Sequence, residues 1–509
     1  MAASDILFTD VSKLLFSDVR NLLKVASMDR AGKDVAAWLT GIKDAPPEKV
    51  ALELAERLTE ALAHEQDLRK RLTMLVSCEE AATSALTALE LATETASLPL
   101  PAAAKQSAVA ADSLLKVLAT DYAGLAVAIQ AGENHPDAKA LLQLTMLHAM
   151  QTLARRELLA YRGHAVPSQT SWNLMRDVYV LARGQGMATA EQDQPSVERE
   201  YAATLLFALA DPGRLPRSSL AATHAFIAGL APRARIEAAT TAEAGDNTSG
   251  RFLLIADKGR PAQPLANVDQ DKAQDGLVLD CSAIIPEIER LIAAGAEAAP
   301  VPLETLRLLH NAWSAAATAP RRFSRTQFKP RIDMITGLPA ILRLLSGRTL
   351  GRRQSDDAHG DEQDASEWLV INESPDGFGI QHLSGEAPAL DIGDLVLLRP
   401  REHGKIHICL VRRSNHAGRE HLELGVQLLS SNAYAIPLPS EDILALGQQG
   451  LLLSQLPAFG NASGIIIAAG ALTPQSVVTD NQAGTLKYYR LGSRIATSTA
   501  IEFHLLQSA

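Results

Sequence analysis

Two kinds of residue in this chain could hold a ligand: a short polar turn and clusters of arginine. The turn lies in Trp368-Leu-Val-Ile-Asn372-Glu-Ser374-Pro-Asp376-Gly377-Phe-Gly379, where an apolar run gives way to Asn, Ser, Pro, Asp and Gly before apolar residues resume. That is the pattern of a hairpin with a polar tip. Asn372 and Ser374 would offer short hydrogen-bonding side chains, and Gly377 would let the backbone turn with no side chain in the way. Two arginine sets precede the turn, Arg321 with Arg325 and Arg348 with Arg352 and Arg353. The net charge of -10 provides no broad basic field, so an anionic ligand would have to be met by such a local cluster. The same charge argues against a nucleic-acid-binding protein held by many phosphate contacts. The plainer reading stands beside this one: arginines before a strand are commonly a solvated face, and Asn-x-Ser near a Gly is ordinary turn chemistry.

The order Asn372-x-Ser374-x-x-Gly377 resembles the (Asp/Asn)-x-Ser-x-x-Gly signature of PilZ domains. The following text continues the likeness with Leu390-Asp-Ile-Gly393-Asp394-Leu-Val-Leu-Leu398, then His407-Ile-Cys-Leu-Val-Arg412-Arg413, then Leu422-Glu-Leu-Gly425-Val-Gln-Leu-Leu429. The resemblance covers roughly the last third of the chain and implies an antiparallel β-barrel that binds cyclic dimeric GMP, although PilZ-like domains without nucleotide are common in the family. It also implies a second signature, Arg-x-x-x-Arg, which two places match. Arg348/Arg352, with Arg353 beside it, lies at the distance from Asn372 that the family usually shows. Arg321/Arg325 directly precedes a strand candidate at 331–335, which suits the topology better if 337–367 is an insertion, and is slightly favoured. For such a ligand a guanidinium can pair with phosphate oxygens, meet the O6/N7 edge of guanine in two points, or stack on its face; a lysine cannot do all three.

Catalysis finds little support in the residues. Ser374 sits in no Gly-x-Ser-x-Gly elbow, and no phosphate-binding Gly-x-x-x-x-Gly-Lys-(Ser/Thr) or strand-linked Gly-x-Gly-x-x-Gly occurs. His403 and His407 could share a helix face, but 406–410 reads as a strand, where the two lie far apart along one side, which argues against a metal site. The expectation is a protein that is not an enzyme, with no cofactor and no metal. Cys78, Cys281 and Cys409 are widely spaced and fit small apolar residues in a reducing cytoplasm. No signal peptide is evident, and the apolar stretches around 141–150 and 464–472 fall short of the roughly 20 residues that span a bilayer. A cytoplasmic protein with no transmembrane segment is expected.

These site candidates need elements to position them. At 509 residues, 47% of them apolar, the chain has room for about three units. Ala and Leu dominate the first two hundred positions and favour helices. Leu54, Leu58, Leu62, Leu68, Leu72 and Leu75 predict one long helix from Pro47, and further helices are predicted over 79–96, 103–129, 137–161, 171–183 and 195–209. Trp172-x-x-Met175-x-x-Val-Tyr179 is similar to the start of a tetratricopeptide unit, without a strict repeat period. The fold class expected is multidomain α+β: an all-helical bundle or short solenoid over 1–213, a small α/β connector over 214–318, a PilZ-like antiparallel β-barrel over 319–440 and extra strands over 441–509. The functional expectation is a cyclic di-GMP receptor acting in surface motility or biofilm control, with an unknown protein partner on the helical domain. The alternative is a nucleotide-free PilZ-like scaffold whose helical domain binds that partner constitutively.

Overall fold

Leucine and alanine at helical spacing bury one face of each of seven successive helices. These are α1 (Pro47–His64), α2 (Leu68–Thr95), α3 (Ala102–Ala131), α4 (Ala138–Arg162), α5 (Gln169–Gly184), α6 (Val197–Leu209) and α7 (Arg217–Leu230). The structure is a computed structural model that describes residues 38, 41–42, 45–132, 138–190, 194–239, 249–257, 260–268, 276–297, 299–314, 330–346, 365–384, 388–401, 405–417, 421–439, 448–473, 476–480, 486–498 and 500–508. They fall into two units, Met1–Ala96 with Leu100–Pro320, and Ser97–Pro99 with Arg321–Ala509.

The helix predicted to run from Pro47 through Leu75 is two helices. Asp67 interrupts it: its Oδ1 accepts from the backbone N–H groups of Arg69 at 2.9 Å and Lys70 at 3.1 Å, and so starts α2 afresh. An aspartate satisfies orphan N–H groups at a helix start better than it tolerates a helix interior. The leucine stripe continues across the break because both helices pack into one core. Helix α3 is long and apolar enough to cross a membrane by length and composition, and half of its most apolar window is buried within the unit. Trp172, Met175, Val178 and Tyr179 form the buried face of α5.

The same core continues past residue 213. Strands β1 (Arg235–Ala238), β2 (Arg251–Asp257), β3 (Arg260–Pro264) and β4 (Leu277–Asp280) form an antiparallel sheet in the order β1-β4-β2-β3. Helices α8 (Ile285–Ala294) and α9 (Leu303–Trp313) follow. Phe252, Leu279, Cys281, Ile288 and Trp313 pack into one cluster with the helical leucines, and the Trp313 indole N–H donates to the Leu206 carbonyl at 3.1 Å. The α/β segment therefore completes the helical core, and the expected border at 213 runs through it.

The second unit is built from two six-stranded assemblies. The first comprises β5 (Arg331–Thr336), β6 (Ser366–Ser374), β7 (Gly377–Ser384), β8 (Leu395–Pro400), β9 (His407–Ala417) and β10 (His421–Ser430), closed into an antiparallel barrel in the order β10-β7-β6-β5-β8-β9. Trp368, Val370, Ile380, Val396, Val411, Leu424 and Val426 fill its interior. Helix α10 (Leu338–Leu345) follows β5. The second assembly contains β11 (Ala433–Pro437), β12 (Gln449–Leu456), β13 (Ala462–Ala468), β14 (Val477–Asp480), β15 (Lys487–Thr497) and β16 (Ile501–Ser508), in the order β11-β12-β13-β16-β15-β14. Ala433–Pro437, inside the barrel range expected from sequence, pairs with β12 and belongs to this second sheet.

Starting the closed barrel at β5 gives β5-β6-β7-β10-β9-β8, the same succession as β11-β12-β13-β16-β15-β14. The strands expected as an extension thus repeat the barrel's connectivity. The seam between β11 and β14 is bridged by the Tyr434 hydroxyl, which donates to Asp480 Oδ2 at 2.9 Å.

Candidate ligand-binding face of the first barrel

The polar tip predicted at Asn372 is the β6–β7 hairpin. At its end the Ser374 hydroxyl donates to the Gly377 carbonyl at 3.3 Å, and the Leu428 N–H donates to the Asp376 carbonyl at 2.9 Å. Gly377 has φ +153°, and a Cβ built there would lie 2.0 Å from the Val426 carbonyl oxygen. No side chain fits that approach of hairpin to β10. Gly377 is therefore a structural requirement of the fold, whatever else it does.

Asn372 follows a bulge that lets Ile371 be passed over, so Val370 pairs with Ile380 and Asn372 pairs with Gly379. Val370 and Ile380 point into the barrel, which turns Asn372 and Gly379 outward. The same rung continues through Gly425 on β10 to Arg413 on β9. A second bulge at Arg412 separates Val411, paired with Val426, from Arg413, paired with Gly425. The row Asn372, Gly379, Gly425, Arg413 thus crosses four strands on the outer surface, roughly 14 Å of sheet. Its two central positions have no side chain.

The Asn372 amide leans over Gly379: a Cβ there would lie 2.5 Å from Asn372 Nδ2. Over Gly425 a Cβ would meet only the Arg413 Cβ, at 3.2 Å. Two rungs nearer the tip, Gln427 pairs with Gly377, and its Oε1 accepts from Arg412 Nε at 2.8 Å. The result is a shallow floor of backbone rimmed by Asn372, Ser374, Arg412, Arg413 and Gln427.

Of the residues expected from sequence, Asn372, Ser374 and Gly377 come together here. Arg321, Arg325, Arg348, Arg352 and Arg353 lie outside the described residues. The described neighbour of the first set, Pro330, accepts from the Val370 N–H at 3.0 Å, two residues from Asn372 on the adjacent strand. Sequence reasoning read Gly379, Gly425, Arg412 and Arg413 as barrel pattern and not as site. The signal was available: glycine inside a strand marks a bulge or a close approach by a ligand or another backbone.

Other charged groups on the barrel are engaged with one another. Asp333 meets Arg399 at 3.1 Å and Arg401 at 2.8 Å, and Glu367 meets Arg331 and Arg401, each at 2.9 Å. The hydrogen bond from Ser384 and these guanidinium groups hold the Glu367 carboxyl below its usual range despite a desolvation cost. In the helical unit Glu79 accepts from Tyr122 at 2.7 Å and faces His148 Nδ1 at 3.0 Å. Burial works against its charge, but His148, Tyr122 and Arg155 outweigh it and the pKa falls. Burial pushes the Cys78 thiol up to about 12 and raises Cys409 further, so neither is poised as a nucleophile. Among the described residues no group of three or more His, Cys, Asp and Glu could hold a metal ion.

No curated protein and no solved structure matches the chain. Residues 33–241, the helical region and not the barrel, match the family model described as cyclic-di-GMP receptor FimW, N-terminal domain.

Proposed function

We propose that the chain is a cyclic di-GMP receptor that binds its ligand on the outer face of the first barrel and acts by changing a protein interaction. The observation that carries this reading is the rung Asn372, Gly379, Gly425, Arg413: two side-chain-free positions, with the Asn372 amide lying over Gly379 and a guanidinium beside Gly425. The match of the helical region to a family model of a cyclic-di-GMP receptor supports it from a separate part of the chain. Arg321 and Arg325 supply the phosphate and guanine contacts, because the chain reaches β5 through Pro330, beside Val370 and close to Asn372. Ser374 and Asn372 meet a base edge or a phosphate, and Gly377 keeps the tip against β10. No step of bond making is assigned, and the protein acts as a receptor without a cofactor, in the cytoplasm. Binding engages Arg321 and Arg325, and the bound state is read by a protein partner on the helical unit. By the PilZ resemblance the output lies in surface motility or biofilm control.

Calorimetric titration with cyclic di-GMP tests the reading. Micromolar or tighter binding is expected, weakened roughly tenfold to a hundredfold for each arginine removed. The Arg321→Ala/Arg325→Ala variant should lose it and Arg348→Ala/Arg352→Ala should keep it. The reverse pattern transfers the site to the second set. No heat from folded protein replaces the receptor with a nucleotide-free scaffold whose helical unit binds its partner constitutively.

A further inference from the structure

The repeated strand order allows the two barrels to be aligned rung by rung, and one irregularity recurs on the matching strands. In the first, Val411 pairs with Val426 and Ser414 with Leu424, so three steps on β9 match two on β10. In the second, Leu491 pairs with Leu506 and Arg494 with His504, the same three against two on β15 and β16. The hairpins agree as well: interior Val370 and Ile380 correspond to Leu452 and Ile465, both buried in the second barrel's own core. Gly379 then corresponds to Gly464, one rung further toward the tip.

Around that shared glycine every ligand-facing position has changed character. The partner of Gly379 on β6 is Asn372, and the partner of Gly464 on β12 is Leu453. Ser374, at the end of β6, corresponds to Leu456 at the end of β12. Gly379 pairs across to Gly425, whereas Gly464 pairs across to Leu505. The bulged Arg412-Arg413 pair corresponds to Gly492-Ser493. A Cβ on Gly464 would lie 2.7 Å from the Phe503 ring and 2.8 Å from Leu456 Cδ1, so this glycine is covered by apolar side chains where Gly379 is covered by the Asn372 amide. Leu453, Leu456 and Phe503 share one buried cluster with Ile335, Leu395, Leu397, Ile408 and Leu410 of the first barrel and with Leu338 and Ile341 of α10. Leu505 packs against the same cluster.

We infer that the C-terminal sheet is a second barrel of the first one's design whose equivalent face has become the apolar interface between the two barrels, leaving the chain with one ligand face. The interface half of this inference stands on packing alone; the ligand half rests on the proposed function.

Reciprocal substitutions separate the two. Leu453→Asn/Leu456→Ser introduces the first barrel's residue types at the matching positions of the second. Because both leucines are fully buried, the thermal midpoint of the full chain should fall by roughly 5 °C or more. Leu456→Met, which keeps an apolar side chain of similar volume, should leave it within about 2 °C. Asn372→Ala/Ser374→Ala should leave the midpoint nearly unmoved while abolishing binding of cyclic di-GMP, with no residual site. A polar pair at Leu453 and Leu456 that leaves the midpoint unmoved overturns the interface. Residual binding in the Asn372/Ser374 variant that Leu453→Asn/Leu456→Ser removes overturns the single face. Absence of binding by wild-type protein overturns the proposed function instead, and the midpoints then decide the interface on their own.

Discussion

The helical unit and the first barrel dispose of their polar side chains in opposite ways. In the helical unit, charge goes inward and is met by charge. Glu90, 7% exposed, receives Arg155 and Arg162, and Arg162 also meets Glu94 at 3.1 Å. Arg217 donates to the Thr93 and Glu94 carbonyls and so satisfies the C-terminal end of α2. In the first barrel the buried positions are mostly aliphatic around Trp368, whose indole donates to buried Ser366, and the charged groups stand outside. Buried pairs of the first kind fix a helix bundle in one packing but offer nothing to a solute. An exterior rung of the second kind is built on backbone that cannot yield, so it presents its edge groups in a set geometry. The difference supports the proposed placing of recognition on the barrel.

The largest expected effect tests the helical side. Glu90→Ala leaves the partly buried guanidinium of Arg155 without its carboxylate and takes one of two from Arg162. Removing one partner of a buried pair typically costs about 3–5 kcal/mol. Hydrogen exchange across α2 and α4 should show that loss and leave β6 and β7 protected as before. If α2 and α4 keep their protection, the pairs are ornamental and the contrast fails on this side. Gly377→Ala tests the barrel side. The added methyl meets the Val426 carbonyl at 2.0 Å in a conformation that L-residues avoid, so hairpin or β10 must shift, at a cost of about 3 kcal/mol. Protection should fall on β6, β7 and β10 and stay unchanged in the helical unit. An unaffected barrel would mean that the backbone under the site is compliant.

Much of this contrast is legible in the sequence, and the remainder fails for identifiable reasons. Helices over 102–131 and 138–162 follow from leucine periodicity, because local spacing alone decides which face is apolar. The break at Glu65 is hidden, since one stripe serves two helices in one core, and Asp67 is the single residue that marks it. Helix α7 is missed within the range 214–318 read as a small α/β connector; its Arg217 donates to α2 carbonyls more than a hundred positions away. The Asn372 hairpin is legible because turn chemistry and alternation are both local. The second barrel is not, because Gly464 meets Leu505 only once the rungs exist, and a run such as Leu451-Leu-Leu453 looks alike on an interior wall and on an interface. Gly379 and Gly425 acquire meaning in the same way, as one row across strands distant in sequence.

The smallest expected effect concerns a buried charge in the helical unit that departs from the pairing rule. Glu157 is 2% exposed, and burial pushes its pKa up to about 8, only partly offset by the hydrogen bond with Ser171 and the charge of Arg156. The folded protein therefore holds a proton on Glu157 through a range in which the unfolded chain, with a carboxyl near 4.5, has lost it. Where the folded state binds more protons, stability falls as pH rises. The contribution is fully present below about 4.5 and is lost between there and about 8. His224, lowered to about 4 by burial and by Arg162, acts with the opposite sign below its ordinary value of 6.5. The two are separated by comparing Glu157→Gln with wild type instead of reading either profile alone. The variant cannot ionise, so its advantage should grow with pH, by about 2 kcal/mol between pH 6.5 and 8, while the His224 contribution, common to both proteins, cancels. Urea unfolding of the two proteins at those pH values measures it. A constant difference would mean that Glu157 is ionised in the folded state and paired like Glu90, and the helical unit would then follow a single rule for buried charge.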